Sequence, residues 1–209
     1  MLALFAFALM LTFGATMMMS TFACADEAMQ KKTLEDLQKA YNGESNAYAK
    51  YLAYAQKADL EGYHKVARLF RAAAGAEEIH LKNHAKVIKG MGAVPEAKIE
   101  FPEIKSTREN LQDAIKGETY ENTTMYPEFI SQAEEANNGA AVLTFTYARD
   151  AEAVHAKLYE KALNDLENWK RADKEFYFCP TCGYLVEGKP TFKFCPLCAT
   201  PQNDFLMVS

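Results

Sequence analysis

Residues 70–84 read Phe-Arg-Ala-Ala-Ala-Gly-Ala-Glu-Glu-Ile-His-Leu-Lys-Asn-His. Glu77 and His80 stand three positions apart in a run with no Pro and no β-branched cluster. On a helix, that spacing puts both side chains on one face, one turn apart. Glu-x-x-His pointing into a helix bundle is a ligand pair for two-metal carboxylate sites. A lone copy arises by chance in many chains, usually as a solvated Glu beside an ordinary His. Here there is a second copy. Phe70, Ala73, Ala76, Glu77, His80 and Lys82 recur as Phe145, Ala148, Ala151, Glu152, His155 and Lys157, each 75 positions on. An internal repeat sets architecture. Two helix pairs, each carrying one metal-binding helix, would face each other across a four-helix bundle core.

Outward from these two helices, the punctuation predicts the rest. Thr33 is placed as an N-cap, with Glu35 and Asp36 in the first turn where the helix dipole favours acids. The first helix then runs to about residue 58, and Leu60-Glu61-Gly62 makes a turn. The second spans about 63–91 and stops at Gly92. Residues 92–106, with Pro95 and Pro102, suit a crossover along the bundle. Ser106 or Thr107 caps the third helix, with Glu109 close behind, and Pro127 should kink it after Tyr126. Asn137-Asn138-Gly139 breaks it, and the fourth helix runs over about 140–170.

Helices one and three should supply the remaining ligands. Glu44 lies 33 positions before Glu77, and Glu118 lies 34 before Glu152, so the two halves correspond. Glu121 follows Glu118 at i+3, and its counterpart on helix one is Ala47, so this carboxylate has no twin. The expected site is Glu44, Glu77, Glu118, Glu121, Glu152, His80 and His155. Its carboxylates, buried unpaired, would each cost several kcal/mol, whereas bound cations would be the largest local charges and reverse that cost. Hard carboxylate oxygens with one imidazole per metal suit iron or manganese, and two such metals can hold an O–O unit between them. Glu78, Glu109, Glu134 and Glu135 read as solvated faces, His64 and His84 as surface or outer residues, and Tyr51 and Tyr126, on spacing alone, as core.

The bounds agree with a globular protein. The chain has 209 residues, 24% charged and 49% apolar, an ordinary composition. Its net charge of −5 argues against a nucleic-acid partner, which would need a basic face. Residues 1–28 stand apart: there is no charge before Asp26, an apolar run reaches Phe13, and Ala23-Cys24-Ala25 resembles a cleavage site. They read as a signal peptide, although no Lys or Arg precedes the apolar run. That run is nearly long enough for a membrane anchor, and Met29-Gln30-Lys31-Lys32 would equally open a soluble protein. Periplasmic or membrane-anchored placement follows from the first two readings, cytoplasmic from the third. Residues 29–172 form the expected bundle, Asp173-Lys174-Glu175 a polar linker, and 176–209 a second module.

That module carries Cys179-Pro-Thr-Cys182 and Cys195-Pro-Leu-Cys198. Two such knuckles present four thiolates as a tetrahedron, which suits zinc or iron. Phe176, Tyr177, Phe178, Tyr184, Phe192, Phe194 and Phe205 should make a small dry core around them, the environment that tunes an iron–sulfur potential.

With both signatures in this order, residues 31–209 resemble the rubrerythrin family, whose members join a ferritin-like di-iron bundle to a short rubredoxin-like domain. The resemblance implies that Glu77 and Glu152 bridge two irons, that Glu44 binds one, and that Glu118 and His155 complete the other. It also implies that the first iron exchanges Glu121 for His80 between its oxidised and reduced states. Tyr51 and Tyr126 match tyrosines that hydrogen-bond near the site, and the four cysteines should hold iron. The implied activity is reduction of hydrogen peroxide to water, in a homodimer that sets a cysteine centre near the partner subunit's di-iron site. Electrons would come from NAD(P)H through a separate reductase, or from a rubredoxin. Its rivals are an iron-oxidising, iron-storing ferritin relative, a non-enzymatic metal-binding or zinc-ribbon protein, and a di-iron oxygenase.

Overall fold

The structure is a computed structural model. It describes residues 6–101, 103–171 and 174–208, with side chains from Asp26 onward, so the leader's side chains, Cys24 among them, lie outside the described residues. Helix α1 spans Ala6–Leu60, α2 His64–Gly90, α3 Thr107–Tyr120, α4 Tyr126–Glu135 and α5 Gly139–Asn164. α1 packs along α2, and α3 and α4 along α5, giving a four-helix bundle in which α3 and α4 together make one arm. No described helix is long and apolar enough to cross a membrane.

Three boundaries differ from expectation. Thr33 caps nothing. It sits inside α1 with its Oγ1 donating to the Met29 carbonyl, because residues 26–32 contain no Gly or Pro to stop the helix. Gln30 even reaches the far turn, donating to the Ala136 carbonyl at 2.6 Å, so these residues belong to the fold. Second, the deformation expected at Pro127 begins earlier. Residues Glu121–Met125 form a π-helical turn, closed by the Tyr126 N–H on the Glu121 carbonyl. Pro127 then occupies the first turn of α4, where a missing N–H costs nothing. Third, α5 ends at Asn164, and residues Leu166–Trp169 follow as a short 3-10 turn.

Other joints match. Ser106 accepts from the Glu109 N–H while Glu109 accepts back from the Ser106 N–H, a complete capping box. Asn138 caps α5 by accepting from Ala141 N–H. Gly92 ends the second helix with φ +80°. The crossover lies extended along α1, held by amides four residues apart. Gln38 bonds Val94 and Glu96, Asn42 accepts from Lys98 N–H, and Asn46 bonds Lys98 and Glu100.

The tail forms a small antiparallel sheet of β1 (Phe176–Phe178), β2 (Leu185–Glu187) and β3 (Leu206–Val208), in the order β2-β1-β3. Strand alternation splits β1 between two cores. Phe176 and Phe178 join the bundle's aromatic core, whereas Tyr177, Tyr184, Phe192 and Phe205 pack around the cysteines. Phe194, expected in that shell, is 60% exposed.

Candidate metal centres

The repeat is visible as paired geometry at the centre of the bundle. On one side Phe70 packs against Tyr51 and Tyr159. On the other, Phe145 packs against Tyr126 and His84. Between these clusters lie two groups whose ligand atoms all sit within 4.8 Å of one another: Glu44, Glu77, His80 and Glu152, and Glu77, Glu118, Glu152 and His155. Glu77 and Glu152 belong to both groups. All six residues are buried to 1% exposure or less.

The tyrosines are not passive core. Tyr51 donates to Glu118 Oε1 at 2.6 Å, and Tyr126 donates to Glu44 Oε1. What remains unpartnered points inward. Glu44 Oε2, Glu118 Oε2, both oxygens of Glu77 and Glu152, and Nδ1 of His80 and His155 are buried without a hydrogen bond. Orphaned buried polar atoms are rare and call for an explanation. Each histidine has its Nε2 against a backbone carbonyl, so a neutral ring carries its bare lone pair on Nδ1. That lone pair faces carboxylate oxygens at 2.8 Å for His80 and 2.7 Å for His155. Only a proton or a metal ion resolves such a contact, and this donor set fits two cations.

The titration shifts express the same crowding. Burial would lower His155, but Glu152 and Glu77 push it up to about 10. Burial, then Glu152 and Glu77, lifts Glu44 well above the carboxylate range and Glu121 to about 8. Burial resists ionisation of Glu152, yet the two histidines hold it well below that range. His84 is driven down to about 3 by burial and then by His80, so its ring is neutral.

Glu121 stands outside both groups. It is half-buried and lines a cleft of about 110 Å³ with Gly43, Gly117, Lys50 and Tyr51, and its Oε1 is 4.0 Å from where a Cβ on Gly43 would lie. His64 is at the surface, paired with Asp59 at 2.9 Å. Of the two positions expected for His84, at the surface or just outside the ligand set, the structure gives the second. His84 is fully buried, with Nε2 3.2 Å from Tyr126 Oη and Nδ1 3.0 Å from Thr144 Oγ1. Sequence reading missed Tyr159 and Thr144, although Tyr159 is the 75-residue partner of His84.

The four cysteines form the other centre. Their sulfurs lie within 4.8 Å of one another, with Cys179–Cys198 at 3.4 Å and Cys182–Cys195 at 3.6 Å. These separations exclude disulfides and fit one tetrahedrally held ion. The two knuckles are alike: Gly183 N–H bonds the Cys179 carbonyl and Ala199 N–H the Cys195 carbonyl, each at 3.0 Å, and both residues have positive φ.

The rubrerythrin family model matches residues 35–163, the stretch holding all seven expected carboxylate and histidine positions. The chain belongs to the rubrerythrin family. It is 41% identical to nigerythrin from Nitratidesulfovibrio vulgaris over 83% of this chain and 85% of that one. It is 35% identical to rubrerythrin from Porphyromonas gingivalis, over 83% and 88%. A structure of fully reduced nigerythrin superposes with a TM-score of 0.78, covering 84% of this chain and 86% of the other. A Desulfovibrio desulfuricans bacterioferritin, 22% identical with a TM-score of 0.62 over 71% and 86%, shares the fold. Rubrerythrins are oxidoreductases that bind a di-iron site and a rubredoxin-like iron, and the carboxylate–histidine groups and the four-cysteine cluster described above are donor sets that fit them.

In this rubrerythrin the two centres touch within one chain, where the family pattern led us to expect contact across a dimer. His80 Nε2 donates to the Cys182 carbonyl and His155 Nε2 to the Gly183 carbonyl, both at 3.1 Å. Two glycines permit the approach. A Cβ on Gly75 would lie 2.7 Å from the Phe178 ring, and one on Gly183 3.0 Å from carbons of the His80 ring. A charged latch closes the edge, with Glu187 of β2 meeting Lys65 at 2.9 Å, Lys174 at 3.6 Å and Lys161.

Proposed function

We propose that this chain is a non-haem di-iron peroxidase that reduces hydrogen peroxide to water and protects against oxidative stress. The observation that carries this reading is the direct hydrogen bonding of both site histidines to the cysteine knuckle, which couples an electron-storing centre to a two-metal centre. Each turnover takes one peroxide, two electrons and two protons to two waters. When bound, a di-iron pair would supply the two electrons that O–O reduction needs, and an iron held by Cys179, Cys182, Cys195 and Cys198 would be a one-electron store to refill it.

Glu77 and Glu152, common to both groups, would be shared by the two metals. Glu44 with His80 would hold one metal and Glu118 with His155 the other. Glu121, outside the groups and beside the cleft, would take the place of His80 on the first metal in one of its oxidation states. Tyr126 and Tyr51 fix the outer carboxylates by donating to them. The cleft past Gly43 and Gly117 admits a molecule the size of peroxide.

The electron donor in this reading is a rubredoxin or a separate reductase, linked to NAD(P)H where that nucleotide is available. A homodimer exchanging tails would preserve the same histidine–knuckle contacts. If residues 1–28 direct the chain to the periplasm or hold it at a membrane, the donor there is not a pyridine nucleotide.

The test is anaerobic reduction followed by one equivalent of peroxide, watching the colour of the ferric tetrathiolate centre. Colour should return much faster with peroxide than with oxygen. Equal or slower return with peroxide refutes the assignment and favours an iron-oxidising role.

A further inference from the structure

We propose that Thr144 and His84 form a proton relay connecting Glu44, through Tyr126, to the surface cleft between α2 and α5. The inference rests on the peroxide-reducing reading, which consumes two protons per turnover at a site sealed from solvent on this side.

The connections are continuous. Thr144 Oγ1 is 3.0 Å from His84 Nδ1, His84 Nε2 is 3.2 Å from Tyr126 Oη, and Tyr126 bonds Glu44 Oε1. Thr144, 5% exposed, is the outer end. It lines a cleft of about 530 Å³ whose rim includes the exposed Lys86, Gly90 and Leu143.

Directions follow from the donor inventory. With a cation bound, Glu44 is a carboxylate that accepts, so Tyr126 donates to it. The Tyr126 oxygen then accepts from His84 Nε2–H, which leaves Nδ1 bare to accept the Thr144 hydroxyl proton. Every proton along the line points inward. One transfer moves the Tyr126 proton to Glu44, the His84 Nε2 proton to Tyr126, the Thr144 proton to His84 Nδ1, and a solvent proton from the cleft to Thr144. One proton enters and one arrives, with no net charge left on the three relay residues. Rotation of the two hydroxyls and the imidazole resets the line.

The repeat supplies a built-in comparison. Seventy-five positions away, His84 corresponds to Tyr159 and Thr144 to Leu69. On that half Tyr51 still donates to Glu118, but the buried Tyr159 hydroxyl has only Tyr51 beside it and no partner leading outward, and Leu69 is fully buried. One half ends in a dry aromatic core, and the other has a hydrogen-bonded pair where that core would be. A buried Thr–His pair is not needed for packing, because Leu and Tyr fill the equivalent space.

The test uses the full chain with Thr144→Val, which keeps the shape, and His84→Ala. In protein loaded with diamagnetic zinc and labelled with 15N-histidine, His84 should be the Nε2–H tautomer, and Thr144→Val should slow exchange of that proton with solvent. In iron-loaded protein with unchanged metal content, both variants should slow single-turnover reoxidation by peroxide about a hundredfold, the low end of what a positioned proton donor contributes. Imidazole should restore His84→Ala. An Nδ1–H tautomer, or unchanged proton exchange in Thr144→Val, overturns the relay, as do wild-type rates in both variants or failed rescue of a folded, loaded His84→Ala. Should the unaltered protein not reduce peroxide at all, the peroxidase reading falls, while tautomer and exchange still decide the relay.

Discussion

Gly183→Ala should separate the two metal centres without replacing a ligand. Gly183 has φ +76°, and an L side chain there costs about 1–2 kcal/mol. The added Cβ would also meet the His80 ring, 3.0 Å from Cδ2 and Cε1 and closer still to Nε2. The knuckle must retreat by about 1 Å to reach ordinary non-bonded distances. That movement takes the two 3.1 Å bonds, His80 to Cys182 and His155 to Gly183, beyond hydrogen-bonding range. Each contributes about 1 kcal/mol, so the total loss is roughly 3–4 kcal/mol. Gly188→Ala is the control. Gly188 has nearly the same φ, +78°, with nothing within 4 Å of its added Cβ, so it should lose only the backbone cost of about 1–2 kcal/mol. Urea unfolding of the iron-loaded protein gives both values, and stopped-flow absorbance after a peroxide pulse gives the electron-transfer rate. Gly183→Ala should be the less stable by about 2 kcal/mol and should transfer electrons more slowly. Equal losses in the two variants, with unchanged transfer, would show that the knuckle does not rest on His80.

Removing the metals should make stability fall as pH rises between about pH 5 and pH 9. In metal-free protein the folded His155 pKa of about 10 exceeds its unfolded value, so its stabilisation is complete at low pH and is lost as pH rises through about 10. Glu121, held at about 8, keeps a proton that the unfolded chain has released, which acts in the same direction; urea midpoints should flatten once iron replaces these protons. Glu187→Gln should weaken attachment of the tail. Burial opposes ionisation of Glu187, but Lys161 and Lys65 hold its pKa at about 2, so the difference from wild type should be full above about pH 4.5 and fade as pH falls toward 2. High salt should shrink the same difference. Cys182→Ser should abolish turnover with a rubredoxin-linked donor while the bundle retains two irons by metal analysis; loss of those irons would contradict separate loading of the two centres.

The bundle and the carboxylate–histidine cluster at its centre were legible in the sequence because each half repeats the same helix-face spacing. Glu77 with His80 and Glu152 with His155 are local i,i+3 pairs, and a 75-residue shift implies that they face one another. The two Cys-x-x-Cys knuckles were equally local, since a knuckle chelates within four residues. Helix ends were less legible where a boundary depended on context: Thr33 resembles a cap, yet nothing before it breaks α1, and Pro127 displaced its distortion into the Glu121–Met125 turn. Tertiary structure alone decided which side of β1 faces the bundle, that Gly75 and Gly183 are contact points, and that His84 is buried between Tyr126 and Thr144. These features join residues far apart in the chain, and no spacing rule reaches across them. Periodicity states which residues share a face, whereas packing determines what that face meets.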